Sequence, residues 1–429
     1  MEIKWKPKEF HRAMVLILDG VGDRPLPELN GLTPLQVARK PHIDWIASTG
    51  ITGIMDVIEP GVRPGTDTGH LALFGYDPYK FYPGRGPLEA AGIGVPLNPG
   101  DVAIRCNIAT VEEKEGQLIV IDRRAGRIRG RDVEELVKAL NESIGEVDGV
   151  KVEFYPATEH RVVLVLRGEG LSPNVSDSDP GTAREGMPIQ RVVPLDNTEE
   201  ARRTAEVLNK VIALAHEVLK NHPVNAERIK KGLLPGNAII TRGAGMVPRE
   251  LVRFEKRFGI KGYVVCEEAT VLGVARILGL DGEIPPGATG NLDTDVMALG
   301  NAAIKAYEKG YDIVFIHVKG PDIAGHDANP WGKIDIIERA DKMLGEVLKH
   351  VDLDRTIVAV VADHSTPCNV RDHSGDPVPI AIRGPGVRRD WVTSYDEISC
   401  MYGGLGRIRG VDLVKILLDL MNRPIKWGE

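Results

Sequence analysis

Asp19, Asp322, His326, Asp363, His364 and His373 are of the types that bind divalent metals, and five of them follow closely on short apolar runs. Val15-Leu16-Ile17-Leu18 stops at Asp19. Ile313-Val314-Phe315-Ile316 leads into Pro321-Asp322-Ile323-Ala324-Gly325-His326, and Thr356 to Val361 leads into Ala362-Asp363-His364. Asp322 and His326 share one turn if the chain coils there, whereas the adjacent Asp363 and His364 are expected to diverge and serve two ions or two functions. Imidazole mixed with carboxylate suits Zn²⁺, Mn²⁺, Co²⁺ or Fe rather than Ca²⁺. Two such ions about 3.5–4 Å apart would clamp the attacking and leaving oxygens of a displacement at phosphorus or sulfur.

These residues must be brought together by the elements that carry them. Continuous β-branched runs read as strands of a parallel sheet buried on both faces, and open α/β sheets gather chemistry outside the carboxyl ends of their strands. A fourth run, Gly262 to Val265, and helices over 294–308 and 333–349 fit the same sheet, the second of them as a crossover. Thr33-Pro34 reads as a helix start, and Gly50 and Gly53 bracket a short strand. The loop Arg63 to His70 precedes an apolar helix beginning at His70. Thr66 in that loop reads by itself as a helix cap, and beside a metal set it reads as a nucleophile.

From about 100 to 260 the character changes. Asp122-Arg123-Arg124-Ala125-Gly126-Arg127, His160-Arg161 ahead of a strand, and Thr241-Arg242-Gly243 are separated by charged helices over 131–143 and 198–221. The expected division is therefore an α/β core, 1–99 with 261–429, and an inserted α+β domain, 100–260.

Composition narrows the class. The 429 residues allow two domains, and 42% apolar with 27% charged is globular. A net charge of −7 excludes nucleic acid or an anionic membrane as the main partner. Cys106, Cys266, Cys368 and Cys400 fit no zinc or redox spacing. The polar, basic stretch Met1 to Arg12 and the short apolar run after it make no signal or membrane span, so a cytoplasmic location is expected.

The order of Asp19-Gly20, a hydroxyl loop ending in Gly69-His70, Pro321-Asp-x-x-Gly-His326, Ala362-Asp-His364 and His373-x-x-x-Pro-Val-Pro379 resembles the alkaline phosphatase superfamily. Within it, Thr68 to Asp77, Asp122 to Arg127, Gly287 to Gly290 and Gly404 to Gly410 resemble the archaeal-type cofactor-independent phosphoglycerate mutases, over residues 13 to 424. The resemblance implies an alkaline-phosphatase-like core, a mostly parallel sheet with helices on both faces, and an inserted domain that closes to exclude water. It implies one ion on Asp19, Thr66, Asp363 and His364 and a second on Asp322, His326 and His373, drawn from Mn, Mg, Co or Zn, with no bisphosphoglycerate. Thr66 would form a phosphothreonine while 3-phosphoglycerate and 2-phosphoglycerate interconvert. Asp122, Arg123, Arg127, His160, Arg161 and Arg242 would hold the small phosphorylated substrate, since Arg suits carboxylate and phosphate. Oligomeric state is not implied. Thr66 stands where relatives commonly have Ser, and Leu272 and Leu299 stand where some have Lys. These departures leave open a metal-dependent phosphomonoesterase, or a phosphomutase on another ester.

Overall fold

The computed structural model describes residues 10–181 and 186–425. The chain divides into unit 1, Met1–Tyr82 with Val252–Glu429, and unit 2, Pro83–Leu251. The boundaries thus fall at 82/83 and 251/252 instead of 99/100 and 260/261. Packing decides both. The helix Arg85–Gly92 lies on strands of unit 2, with Gly86 so close to the Ala103 carbonyl that a Cβ would come within 2.1 Å. Phe258 instead packs its ring against Tyr76 in unit 1, 5.9 Å between centroids.

In chain order unit 1 opens with β1 (Arg12–Leu18) and β2 (Ile51–Asp56). Unit 2 supplies β3 (Val102–Lys114), β4 (Gln117–Asp122), β5 (Glu146–Val147), β6 (Val150–Pro156), β7 (Arg161–Arg167) and β8 (Ala238–Met246). Unit 1 resumes with β9 (Gly262–Val265), β10 (Asp281–Glu283), β11 (Ile313–Val318), β12 (Thr356–Val361), β13 (Val378–Arg383) and β14 (Gly406–Arg409).

The unit 1 sheet runs β10-β9-β11-β1-β12-β13-β2-β14. It is parallel except for β13, which is antiparallel to both neighbours. β11 and β12 are buried at every position, so both faces must be covered. Two groups of helices do so: Pro330–Leu348 packs with Val296–Glu308, Pro41–Thr49 and Gly320–His326, and Ala269–Leu278 packs with Thr66–Leu73. The capping box of Thr33 and Gln36 starts the helix at Pro34 as expected. β2 differs from expectation, because Gly53 lies inside it and does not end it. A Cβ at Gly53 would meet the Gly406 carbonyl of β14 at 2.5 Å, so glycine admits the neighbouring strand.

Register sets the site. Leu18 pairs with Val318 and Ile17 with Val361. The residues just past these pairs, Asp19, Lys319 and Asp363, therefore leave the sheet side by side. The loops beyond are crossed by a buried cation: Lys333 Nζ donates to Asp23 Oδ2 at 2.9 Å, to the Thr366 carbonyl at 2.9 Å and to the Gly22 carbonyl at 3.3 Å.

Unit 2 is an antiparallel sheet, β4-β3-β7-β6-β5 with β8 also on β3. Val102, Ile104, Cys106 and Ile108 of β3 face a core shared with the amphipathic helices Arg131–Ser143 and Glu199–Lys220. Alternation sends Ala103, Arg105 and Asn107 to the opposite face.

Removing one partner of the Lys333–Asp23 pair strands a buried charge, which costs about 3–5 kcal/mol. Lys333→Met should therefore unfold at distinctly lower urea, and Asp23→Asn with Lys333→Met should recover part of the loss. Equal stabilities of wild type and Lys333→Met in urea would show the pair to be dispensable.

Candidate metal centre

Asp19, Asp363 and His364 lie at the carboxyl ends of β1 and β12 and are all buried. The helix Gly320–His326 after β11 places Asp322 and His326 one turn apart. His364 Nε2 is 3.1 Å from Asp19 Oδ1 and 3.4 Å from Asp363 Oδ2. Asp322 Oδ1 is 3.4 Å from both His326 Nε2 and His373 Nε2. Two trios result that could each hold an ion, Asp322-His326-His373 and Asp19-Asp322-His364. Two expectations change. Asp322 belongs to both trios instead of one, and Asp363 and His364 do not diverge, because the turn after β12 folds the imidazole back over its neighbour's carboxylate.

The hydrogen bonds of the three imidazoles say what their free nitrogens face. His326 Nδ1 meets the Arg371 carbonyl at 3.0 Å, and His373 Nδ1 meets the Pro64 carbonyl at 2.7 Å. A carbonyl only accepts, so each Nδ1 carries a proton and each Nε2 is the nitrogen turned to Asp322. His364 Nδ1 faces the Thr366 hydroxyl at 3.0 Å. Asp19 Oδ1 and Asp363 Oδ2 are buried, with His364 Nε2 turned to both. With each Nδ1 turned to an outer partner, the Nε2 atoms converge with the buried carboxylate oxygens in a donor set of the kind a divalent ion takes. The residues fit such an ion.

Thr66 is the first residue of the helix Thr66–Leu73, with Gly65 at the cap position, so that helix begins four residues earlier than His70. The Thr66 hydroxyl is therefore not spent on capping. It lies 3.3 Å from His364 Nε2 and 3.3 Å from Lys319 Nζ.

Four further groups were not anticipated. Lys319 Nζ sits 2.8 Å from Asp322 Oδ2, 3.1 Å from Asp19 Oδ2 and 3.8 Å from Glu268 Oε2. Burial opposes its charge, but these carboxylates overcome it and hold the ammonium far above the usual lysine range. His317 Nε2 meets Asp19 Oδ2 at 2.7 Å, and the ring packs edge-on against His70. His70 Nδ1 donates to the Thr66 carbonyl at 2.8 Å. Glu268 follows β9, so the strand-end rule that identified Asp19 also identifies Glu268. A lysine and a histidine at the end of the apolar run of β11 are the same signal. Leu272 and Leu299, by contrast, are buried core side chains, and the cation of this site is Lys319.

In unit 2, Arg161 opposes Asn107 and Arg242 opposes Arg105. Arg105, Arg161 and Arg242 therefore share the sheet face away from the core, and Arg105 is a further candidate that its strand position in the sequence did not single out. Arg105 Nε lies 3.2 Å from Glu89 Oε2. Arg123 is buried and forms a two-pronged pair with Asp179, whose carboxylate Arg242 also stabilises. Asp122 holds the turn through the Arg124 and Gly126 amides, and Arg127 is exposed in that turn with φ 57°. His160 is pushed down to about 4 by burial and by Arg161, so its imidazole is neutral at pH 7.

A buried acid–imidazole cluster thus lies on the carboxyl edge of a mostly parallel eight-stranded sheet, with a hydroxyl at a helix start beside it. The family model for 2,3-bisphosphoglycerate-independent phosphoglycerate mutase matches residues 47–225. The mutase of that name from Ignicoccus hospitalis is 50% identical, with 97% of this chain and 99% of the relative covered. One from Archaeoglobus fulgidus is 49% identical, with 97% and 99% covered. The solved cofactor-independent phosphoglycerate mutase from Thermoplasma acidophilum is 35% identical, with a TM-score of 0.75 and 96% and 99% covered. The chain belongs to the 2,3-bisphosphoglycerate-independent phosphoglycerate mutase family, which is an isomerase family. Among the described residues no helix is long and apolar enough to cross a membrane.

The His364 imidazole is drawn down by burial, but Asp363, Asp19 and Asp322 override this and raise it to about 9. A folded value above the unfolded one gives stability that is complete below about pH 6.5 and is lost as pH rises through 9. Ion-free protein should therefore lose on the order of 3 kcal/mol between pH 6 and 9.5. Urea titrations in EDTA would measure it, and a flat profile would show that no imidazolium is held there.

Proposed function

We propose that this chain interconverts 3-phosphoglycerate and 2-phosphoglycerate through a phosphothreonine on Thr66, without bisphosphoglycerate. The observation that carries the reading is the Thr66 hydroxyl, free of capping duty and 3.3 Å from both His364 Nε2 and Lys319 Nζ. The mutase names of relatives near 50% identity across almost the whole chain support the substrate.

Asp19, Asp363 and His364, with Thr66, would hold one divalent ion and Asp322, His326 and His373 the other, Asp322 facing both. When bound, such ions supply Lewis-acid stabilisation of phosphoryl oxygens and lower the pKa of a neighbouring hydroxyl. Lys319 donates to the Thr66 oxygen and so favours its alkoxide form. The Thr66 Oγ–P bond forms as the substrate's ester P–O bond breaks, and the net proton passes from Thr66 to the departing glycerate hydroxyl. Glycerate turns, its other hydroxyl attacks the phosphothreonine, and Thr66 recovers the proton. Water must be excluded meanwhile, or the phosphoenzyme hydrolyses. Arg161, Arg242 and Arg105 supply planar donors for the substrate's phosphate and carboxylate, with Arg123, Arg127 and neutral His160 beside them and the Asp122 carboxylate as an acceptor for a glycerate hydroxyl.

Thr66→Ala should abolish turnover while Mn²⁺ uptake persists. Lys319→Met should lower kcat at least 100-fold, the scale of losing one charge-stabilising donor. The assay is 3-phosphoglycerate coupled to enolase, with free phosphate followed in parallel. Phosphate release without 2-phosphoglycerate would instead make the protein a phosphomonoesterase. Arg161→Ala should raise KM for 3-phosphoglycerate more than it lowers kcat, and an unchanged KM would remove Arg161 from the substrate site.

A further inference from the structure

Thr366 stands two residues past His364 and is fully buried. Its hydroxyl donates to Asp322 Oδ1 at 2.6 Å and faces His364 Nδ1 at 3.0 Å. A hydroxyl has one proton. With that proton given to the carboxylate, the oxygen accepts from the imidazole, which places a His364 proton on Nδ1. Nε2 is then the nitrogen turned to Asp19 and Thr66. One hydroxyl thus orients the carboxylate shared by both trios and selects the nitrogen that His364 presents to one of them.

The backbone holds this hydroxyl in place. The Thr366 amide donates to the Gly20 carbonyl at 3.2 Å and the Gly22 carbonyl at 3.1 Å, and its carbonyl receives the Lys333 ammonium. Two glycines beside metal ligands make room for it. A Cβ on Gly20, which has φ +60°, would lie 2.5 Å from Thr366 Oγ1, and one on Gly325 would lie 2.2 Å from the Thr366 carbonyl oxygen. Gly20 follows Asp19 and Gly325 precedes His326, so the glycines of both ligand motifs are needed to admit Thr366.

We propose that Thr366, held by Lys333, is a positioning residue on which both ion subsites depend. It touches neither substrate nor the reacting phosphoryl group and acts through His364 and Asp322. The inference rests on the reading of these residues as ion ligands. Outer hydrogen-bond partners of metal ligands are commonly worth 10–100-fold in metal affinity. A role confined to packing would alter unfolding and leave ion affinity alone.

The experiment titrates the full-length, ion-stripped protein with Mn²⁺, reading free Mn²⁺ by electron paramagnetic resonance, alongside urea unfolding in EDTA. Thr366→Val, which replaces the hydroxyl by a methyl, should raise the Mn²⁺ Kd about 10–100-fold. Thr366→Ala, read if the valine variant does not fold, should show the same loss. Thr366→Ser, which keeps the hydroxyl, should bind within about threefold of wild type. Wild-type affinity in Thr366→Val or Thr366→Ala would overturn the inference while leaving the metal centre intact. Equal losses in the serine and valine variants would also overturn it, because the serine variant keeps the hydroxyl and the loss would not follow it. Wild-type protein that takes up no Mn²⁺ would overturn the metal-centre reading and this inference with it.

Discussion

Three buried carboxylates, Asp19, Asp322 and Asp363, converge at the ends of adjacent parallel strands, and the rest of the centre answers the charge problem this creates. Like charges a few ångströms apart repel by several kcal/mol at the effective dielectric of a protein, about 4 kcal/mol at 4 Å. Such a cluster persists only with cations among it. In the ion-free chain these are Lys319, held between Asp19 and Asp322, and the His364 imidazolium, while Asp19 also draws the His317 imidazole upward against burial. Divalent ions would meet the same need more fully, which couples their binding to the protonation of the histidines and to the stability of the fold. A site that is repulsive when bare is also one that grips an ion strongly.

The same constraint explains details of the loops that otherwise look arbitrary. Gly20, Gly69 and Gly325 all lie next to the centre, and a Cβ at any of them would collide with Asp322, Asp363 or Thr366. Ligand-bearing loops therefore pack backbone to side chain with no spare volume. Lys333, rising from the helix Pro330–Leu348, binds two of these loops to one ammonium and satisfies carbonyls that have left the sheet. Unit 2 solves a different electrostatic problem. Burial and the nearby Arg161 and Arg242 guanidinium groups lower Arg105, and Glu89 offsets only part of this. A face left with excess guanidinium is suited to an anionic small molecule.

Much of this was legible because strand ends in a parallel sheet obey a simple rule. Continuous apolar runs named β1, β9, β11 and β12, and the acids after three of them named the centre. The family resemblance added the pairing of ligands with ions and the role of Thr66. Spacing also marked the amphipathic helices of unit 2, since their apolar stripe depends on local periodicity. Other features were not legible. Lys319 carries the same strand-end signal as the acids, but only its neighbours show its ammonium to be paired with Asp19 and Asp322. Gly53 reads as a strand end until β14 is seen lying against it. The helix start at Thr66 was hidden because Thr66-Asp67-Thr68 is polar and lacks the apolar period of His70 to Phe74.

The sequence by itself determined which strand-end residues have ligand and nucleophile character, because residue type sets that character and local periodicity sets the elements that bear them. It also determined that they gather at one sheet edge, since buried parallel strands leave no other place for polar ends. Tertiary structure alone decided how they divide. Strand register put Asp19, Lys319 and Asp363 level, side-chain rotamers made Asp322 common to both trios, and packing moved the unit boundaries to 82/83 and 251/252. The register depends on contacts between residues some 300 positions apart, Leu18 with Val318 and Ile17 with Val361, and no local pattern in the chain encodes such distances.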